Sequence, residues 1–163
     1  MKYLKHCIAI VILALTWSCN NDDDATTTTN PPIYENRIDI EEYAFYFPDD
    51  FRLEPLQGID SYIGNINGNE ITLFFDYGWY TRPSENLSPS EFDVSEDIIN
   101  GYYRQIVKPI DPAAHSTKIH LFNVSERDNS PNGYNSLTVS TNNLTQAQQE
   151  VIMNVFTTVQ FIN

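Results

Sequence analysis

GIDSYIGNINGNEITLFFDYGWY, Gly58 to Tyr80, is the stretch on which the fold turns. Alternating apolar and polar residues flank Asn67-Gly68, a dipeptide suited to a two-residue type I′ turn, so a β-hairpin is predicted here. With that turn Ile66 faces Asn69, Gly64 faces Ile71, Tyr62 faces Leu73 and Asp60 faces Phe75. Tyr62, Ile66, Ile71, Leu73 and Phe75 then share the better core face. Ser61, Ile63, Glu70, Thr72, Phe74 and Asp76 fall on a mixed face suited to partial cover. A slip of one residue would exchange the two faces and set Asp60 against Asp76.

Upstream, the aromatic run Tyr43–Phe47 reads as a strand stopped by Pro48-Asp49-Asp50. Phe51–Leu56 is a weaker strand, placed at a sheet edge by Pro55. Downstream, Thr81–Ser90 is a loop by its prolines and serines. Residues 94–108 admit two readings. The doublets Ile98-Ile99, Tyr102-Tyr103 and Ile106-Val107 recur at helical spacing behind Ser95 as a cap. Gly101 would cost such a helix about 1 kcal/mol relative to alanine, whereas Asn100-Gly101 is a strong hairpin signal. The hairpin is preferred, and it sets Asp97 against Arg104 and Glu96 against Gln105.

Lys118–Val124 and Tyr134–Ser140 are predicted to be neighbouring strands around a polar loop, Ser125–Gly133. The period then changes. Thr145 and Gln148 form a capping box, and Ala147, Val151, Ile152, Val155 and Phe156 make an apolar stripe at helical spacing. Thr157–Asn163 ends as an extended segment with Val159 and Phe161 facing one way. The expected fold class is α+β: an antiparallel sheet of about six to eight strands with one late amphipathic helix packed on one face.

The N-terminus has a different character. Lys2 and Lys5 precede an apolar run, Cys7–Trp17, and Ser18 leads into Cys19. A charged head, a short apolar core and a small-residue boundary make a secretory signal peptide over residues 1–18. The core is shorter than the roughly 20 apolar residues that span a bilayer. Leu15-Thr16-Trp17-Ser18-Cys19 resembles a bacterial lipoprotein signal, which implies cleavage before Cys19 and its lipidation, although Thr16 stands where that pattern has an aliphatic residue. Residues 19–36, with NNDDD at Asn20–Asp24 and ATTTTNPP at Ala25–Pro32, read as a disordered tether, and residues 37–163 as a single domain. The acidic triplet beside the anchor resembles the surface-export signals of Bacteroidota-type lipoproteins; as a charge run alone it is a solvated spacer.

The whole chain carries a net charge of −13. Without residues 1–18, which hold two lysines, seven basic side chains face twenty-two acidic ones, a balance of −15. That excludes a phosphate-neutralising surface, so nucleic acid is not an expected partner, and an anionic membrane would repel the domain. Attachment to the membrane is expected through the lipid on Cys19 alone. With Cys7 removed and Cys19 acylated, no thiol remains for a disulfide, a zinc cluster or a nucleophile.

No motif commits the chain to a reaction. His115 and His120 fall on opposite faces of a strand, which prevents a shared metal, and each is read as solvated or capped. No cofactor, metal or catalytic residue is predicted. Asp60 and Asp76 are the candidate carboxylate pair for acid-base work or Ca²⁺ binding, with loop capping as the ordinary alternative. Tyr77, Trp79 and Tyr80 can stack on a sugar or anchor a protein, and Arg82 can hold an anion, unless these rings simply cover the sheet. Gly78 allows a bulge that re-aims its neighbours.

The order of elements is similar to small extracytoplasmic domains of the PsbP-like superfamily. The resemblance rests on Tyr43–Asp50, on Ile99-Asn100-Gly101, and on Leu137-Thr138-Val139 through the helix to Val159-Gln160-Phe161. Gly58-Ile59-Asp60-Ser61-Tyr62 and Phe75-Asp76-Tyr77-Gly78 also resemble a pattern of uncharacterised Bacteroidota-type lipoproteins. The superfamily resemblance implies a binding or assembly module. The expectation is therefore a lipid-anchored outer-membrane protein that binds an envelope protein or glycan, with an extracytoplasmic hydrolase using Asp60 and Asp76 as the alternative.

Overall fold

The computed structural model describes residues 33–130 and 133–162, so the expected signal peptide, Cys19 and the tether up to Pro32 lie outside the described residues. The central hairpin forms, with its turn two residues further along than expected. β4 (Tyr62–Gly68) and β5 (Ile71–Gly78) pair Gly68 with Ile71, Ile66 with Leu73, Gly64 with Phe75 and Tyr62 with Tyr77. Asn69 and Glu70 make the turn, at φ 53° and 59°, the left-handed backbone of a type I′ loop.

The Asn67-Gly68 turn is corrected by packing. A Cβ on Gly68 would lie 2.5 Å from the ring of buried Phe51, so this glycine serves a close crossing inside the sheet. Asn67 is a ladder residue whose Nδ2 donates to Glu54 Oε2 at 3.0 Å and whose Oδ1 accepts from Thr72 Oγ1 at 2.8 Å. A displacement of two preserves side-chain parity. Ile66, Ile71, Leu73 and Phe75 are accordingly buried on one face. Asp60 leaves the ladder altogether. It sits in the loop before β4 and faces neither Phe75 nor Asp76.

β6 (Phe92–Ile99) and β7 (Tyr102–Pro109) form the second hairpin, turning at Asn100-Gly101. The expected cross-strand pairs are present. Arg104 grips Asp97 through two bonds, at 2.9 and 2.6 Å, and Gln105 Nε2 donates to Glu96 Oε1 at 2.7 Å. With β3 (Arg52–Leu56), β8 (Thr117–Asn123) and β9 (Ser136–Thr141), these strands make one antiparallel sheet in the order β3-β4-β5-β9-β8-β7-β6. Pro55 lies on the edge strand, as its missing N–H requires.

The expected single sheet is in fact two. β1 (Asn36–Ile40), β2 (Tyr43–Phe47) and the short β10 (Gln160–Phe161) form a separate three-stranded sheet with β2 in the middle. β1 escapes sequence reading because NRIDI has few apolar residues and turns through Glu41, at φ 50°, without glycine. Helix α1 (Val124–Asn129) also replaces part of the expected polar loop, because Asn123 caps it by accepting from Ser125 N and Glu126 N. Helix α2 (Gln146–Thr157) carries the expected capping box. Its buried face is Gln149, Ile152, Val155 and Phe156. Ala147 is exposed, against expectation, and Gln149 takes the inward place by donating to Pro109 O at 2.8 Å.

One core joins these layers. Phe45 and Phe47 of β2, Leu73 and Phe75 of β5, Leu121 of β8 and Phe156 of α2 all belong to it. Tyr43 is the pivot. It is fully buried on the small sheet and meets three rings edge-on: Tyr77 of β5 at 6.3 Å, Tyr102 of β7 at 5.8 Å and Phe161 of β10 at 6.0 Å. Phe161 and Tyr102 stack at 4.1 Å, which fixes the C-terminal strand to the large sheet as well. The Tyr43 hydroxyl is buried and makes no hydrogen bond.

Those contacts separate ring from hydroxyl. Tyr43→Ala should lower the unfolding free energy by roughly 3–5 kcal/mol in urea titration, as truncation of a buried aromatic does. Tyr43→Phe keeps the ring and removes an unbonded buried hydroxyl, so its urea midpoint should not fall.

Candidate functional site

After β5 the chain does not return beside it. The segment from Trp79 to Glu91 crosses the outer face of the large sheet to reach its far edge at β6. It is strapped down as it goes. Thr81 Oγ1 donates to Ser136 O at 3.1 Å on β9, and Ser84 exchanges two bonds with the Gln105 amide on β7, at 2.7 and 2.9 Å. This strap explains why Gln105 and His120, on the outer face, are buried.

At the start of the strap, β5 meets the loop before β4. A Cβ on Gly78 would lie 2.6 Å from Ser61 Cβ, so the glycine admits this approach and no bulge is formed. Between the two segments opens a cleft of about 550 Å³. Asp60, Tyr77, Trp79 and Tyr80 line it, joined by Tyr62 and Asn135. Trp79 is 50% exposed and Tyr80 74%, while Ile59 on the facing loop stands fully in solvent. A second cleft of about 340 Å³ adjoins it and shares Trp79 and Asn135 as its wall. Gly133, at φ 122°, lies beside the indole, where a Cβ would make ordinary contact with Trp79 Cδ2 at 3.7 Å.

The remaining expected site residues lie elsewhere. Arg82 does not line the cleft. Its Nη1 donates to Trp79 O and Thr81 O, each at 2.6 Å, and its guanidinium lies 5.7 Å over the Tyr134 ring. It fixes the strap. Asp76 projects from the outer face, where it pairs in register with Ile63 and Thr138, and its Oδ1 is buried without a hydrogen-bond partner. Asp60 and Asp76 therefore do not share the cleft.

Beneath the cleft lies a group that sequence reading missed. Glu42 ends the β1–β2 turn, and its Oε2 accepts from Tyr77 Oη at 3.2 Å. Burial pushes the Glu42 carboxyl above its usual range, with the Glu126 and Glu41 carboxylates adding to the shift. Burial and the Glu42 charge push the Tyr77 hydroxyl up in turn. The only hint in the sequence was two glutamates placed directly before an aromatic strand.

Of the two states expected for His120, solvated or capped, the ring is not solvated but buried, and it is capped at one nitrogen only. Its Nδ1 lies 2.8 Å from Thr138 Oγ1, and its Nε2 is buried without a partner. Burial, reinforced by the nearby Arg82 charge, pushes its pKa down to about 4. His115 sits apart, in the turn before β8 against Phe92. Among the described residues, no group of three or more His, Cys, Asp or Glu is placed to hold a metal ion. No protein-family model, curated protein or solved structure matches the chain.

Two outcomes follow from this geometry. Because the folded state keeps His120 neutral while the unfolded chain protonates it below about pH 6.5, stability present above that pH is lost as pH falls toward about 4. Across this window the protein should lose on the order of 3 kcal/mol more stability in urea titration than His120→Gln does, the comparison separating His120 from Glu42, whose raised pKa acts in the opposite sense. Gly78→Ala should force Ser61 away and cost roughly 1–3 kcal/mol, read as a lower thermal midpoint.

Proposed function

We propose that the chain is a lipid-anchored cell-envelope protein whose folded domain is a non-enzymatic binding or assembly module. In this reading residues 1–18 are removed, Cys19 is lipidated, and the chain from Cys19 up to β1 tethers a domain of PsbP-like kind to the outer membrane, with Asn36, expected in the tether, belonging to the domain instead. The ligand surface is the cleft beside Trp79, and its occupant is a protein or glycan of the envelope. The observation that carries this reading is the gathering of Asp60, Tyr77, Trp79 and Tyr80 around one open cleft within the size range of ligand pockets. Exposed rings just past the end of β5 supply contact area at low entropic cost.

A hydrolase built on Asp60 and Asp76 is the weaker reading. It needs both carboxylates at one cleft, and Asp76 lies outside this one. The antiparallel α+β architecture is compatible with the PsbP-like resemblance, as it is with many other small domains.

Retention on native envelope fractions tests the cleft. Trp79→Ala should abolish capture of the bound partner and move the thermal midpoint by less than about 3 °C. A large loss of stability would mean that the indole is core and the binding reading is wrong. The anchor has a separate test: Cys19→Ser should release the protein from membranes, and unchanged membrane association would end that part of the proposal.

A further inference from the structure

The charge around the cleft is uncompensated. Glu41 and Asp60 line the larger opening, Glu126 lines the adjoining one, and neither is lined by Lys or Arg. Among the described residues the ion pairs are Arg37–Asp39, Arg104–Asp97 and Arg127–Asp128, so these three rim carboxylates take part in none. Two cations lie nearby, and both are engaged: Arg82 is turned onto backbone carbonyls and the Tyr134 ring, and Arg127 pairs with Asp128 and lies over the Phe122 ring. The lining rings act in the same sense as the carboxylates, because the face of an indole or phenol is the negative pole of its quadrupole. Carboxylates and ring faces together give the cleft a negative potential that its concave walls concentrate.

We infer that this cleft takes an organic cation, an alkylammonium or guanidinium group, held against the faces of Trp79 and Tyr80 and paired with Asp60 and Glu41. The inference rests on the reading of the cleft as a binding site and names what that site accepts. An anionic ligand would be repelled. A neutral sugar could stack on the same rings, but it would cover the carboxylates without neutralising them. The shared wall at Trp79 adds a second feature. A ligand with two cationic groups can place one beside Asp60 and the other beside Glu126, with the indole between them. Two sources carry this chemistry, a free polyamine or quaternary amine and the Lys or Arg side chains of a basic partner segment.

Fluorescence isolates the site. The chain has two tryptophans, Trp17 and Trp79; Trp17 lies in residues 1–18, which the proposed processing removes, so protein expressed with Trp17→Phe reports on the cleft alone whether or not that segment is cleaved. It would be titrated in nonionic detergent near pH 7.5 with choline, spermidine, tetralysine and a neutral cello-oligosaccharide. The expected result is a saturable change in Trp79 emission with the cationic probes. Affinity should fall about tenfold or more between about 20 and about 200 mM NaCl, and by a similar factor in the Asp60→Asn, Glu41→Asn double variant. Both substituted residues are exposed, and asparagine suits the positive φ of Glu41, so the variant's thermal midpoint should hold. A response to choline or spermidine identifies a free amine; a response to tetralysine alone identifies a partner's side chains. Emission that responds to the cello-oligosaccharide and not to the cations would overturn the inference while leaving the cleft as a binding site. Silence toward all the probes would also overturn it, with the cleft itself still judged by Trp79→Ala capture. A cation response that survives the double variant would show diffuse charge attraction and defeat the assignment.

Discussion

Tyr43 joins the two sheets of the molecule. Its ring is donated by the small sheet and packed among rings from β5, β7 and β10, so two sheets with no shared hydrogen-bond ladder act as one core. The cleft depends on it indirectly. Tyr77, whose edge meets Tyr43, is both a core residue and the inner wall of the cleft, and its hydroxyl reaches Glu42 in the turn immediately before Tyr43. A ring in ordinary sheet packing thus fixes the depth and angle of the surface on which Trp79 and Tyr80 are displayed.

The two faces of the large sheet are buried by different means. The inner face is closed by apolar side chains from the small sheet and α2, where burial itself is the driving force. The outer face is covered over its middle by the strap through polar bonds, Thr81 to Ser136 and Ser84 to Gln105, above a buried neutral imidazole, while Phe74, Val94 and Ile98 on the same face stay exposed. Polar closure needs every partner in place, and it is incomplete here at Asp76 Oδ1 and His120 Nε2. The segment that carries Trp79, Tyr80 and Arg82 is therefore seated on the less forgiving of the two faces.

Much of this could be read from residues in order, because the signals were local. Asn100-Gly101 and the charges around it predict their own hairpin and its pairs, and Thr145 with Gln148 predicts a helix start. The apolar parity of Ile66 and Leu73 survives a misplaced turn, since a shift of two residues leaves each side chain on its face. What could not be read was set by partners distant in sequence. Gly68 is reserved for Phe51, Gly78 for Ser61, and Gln149 is buried because Pro109 O needs a donor. The same holds for the cleft: Trp79 and Tyr80 stood out in sequence, but Glu41, Glu42 and Asn135 join them only through tertiary contacts.

The crossing strap also bears on how the chain reaches this state. β5 is flanked in sequence by β4 and β6, yet in the sheet its second neighbour is β9, and Phe75 must wait to pair with Val139. Loop closure over so long a separation is slow relative to hairpin formation. The two hairpins can form early as independent units, but the sheet is continuous only once β9 has inserted between β5 and β8. Until then β5 presents an open edge bearing Leu73 and Phe75, the kind of surface that invites pairing with another chain. Folding speed, and the yield lost to aggregation, should accordingly be governed by β9, a strand that contributes no side chain to the cleft.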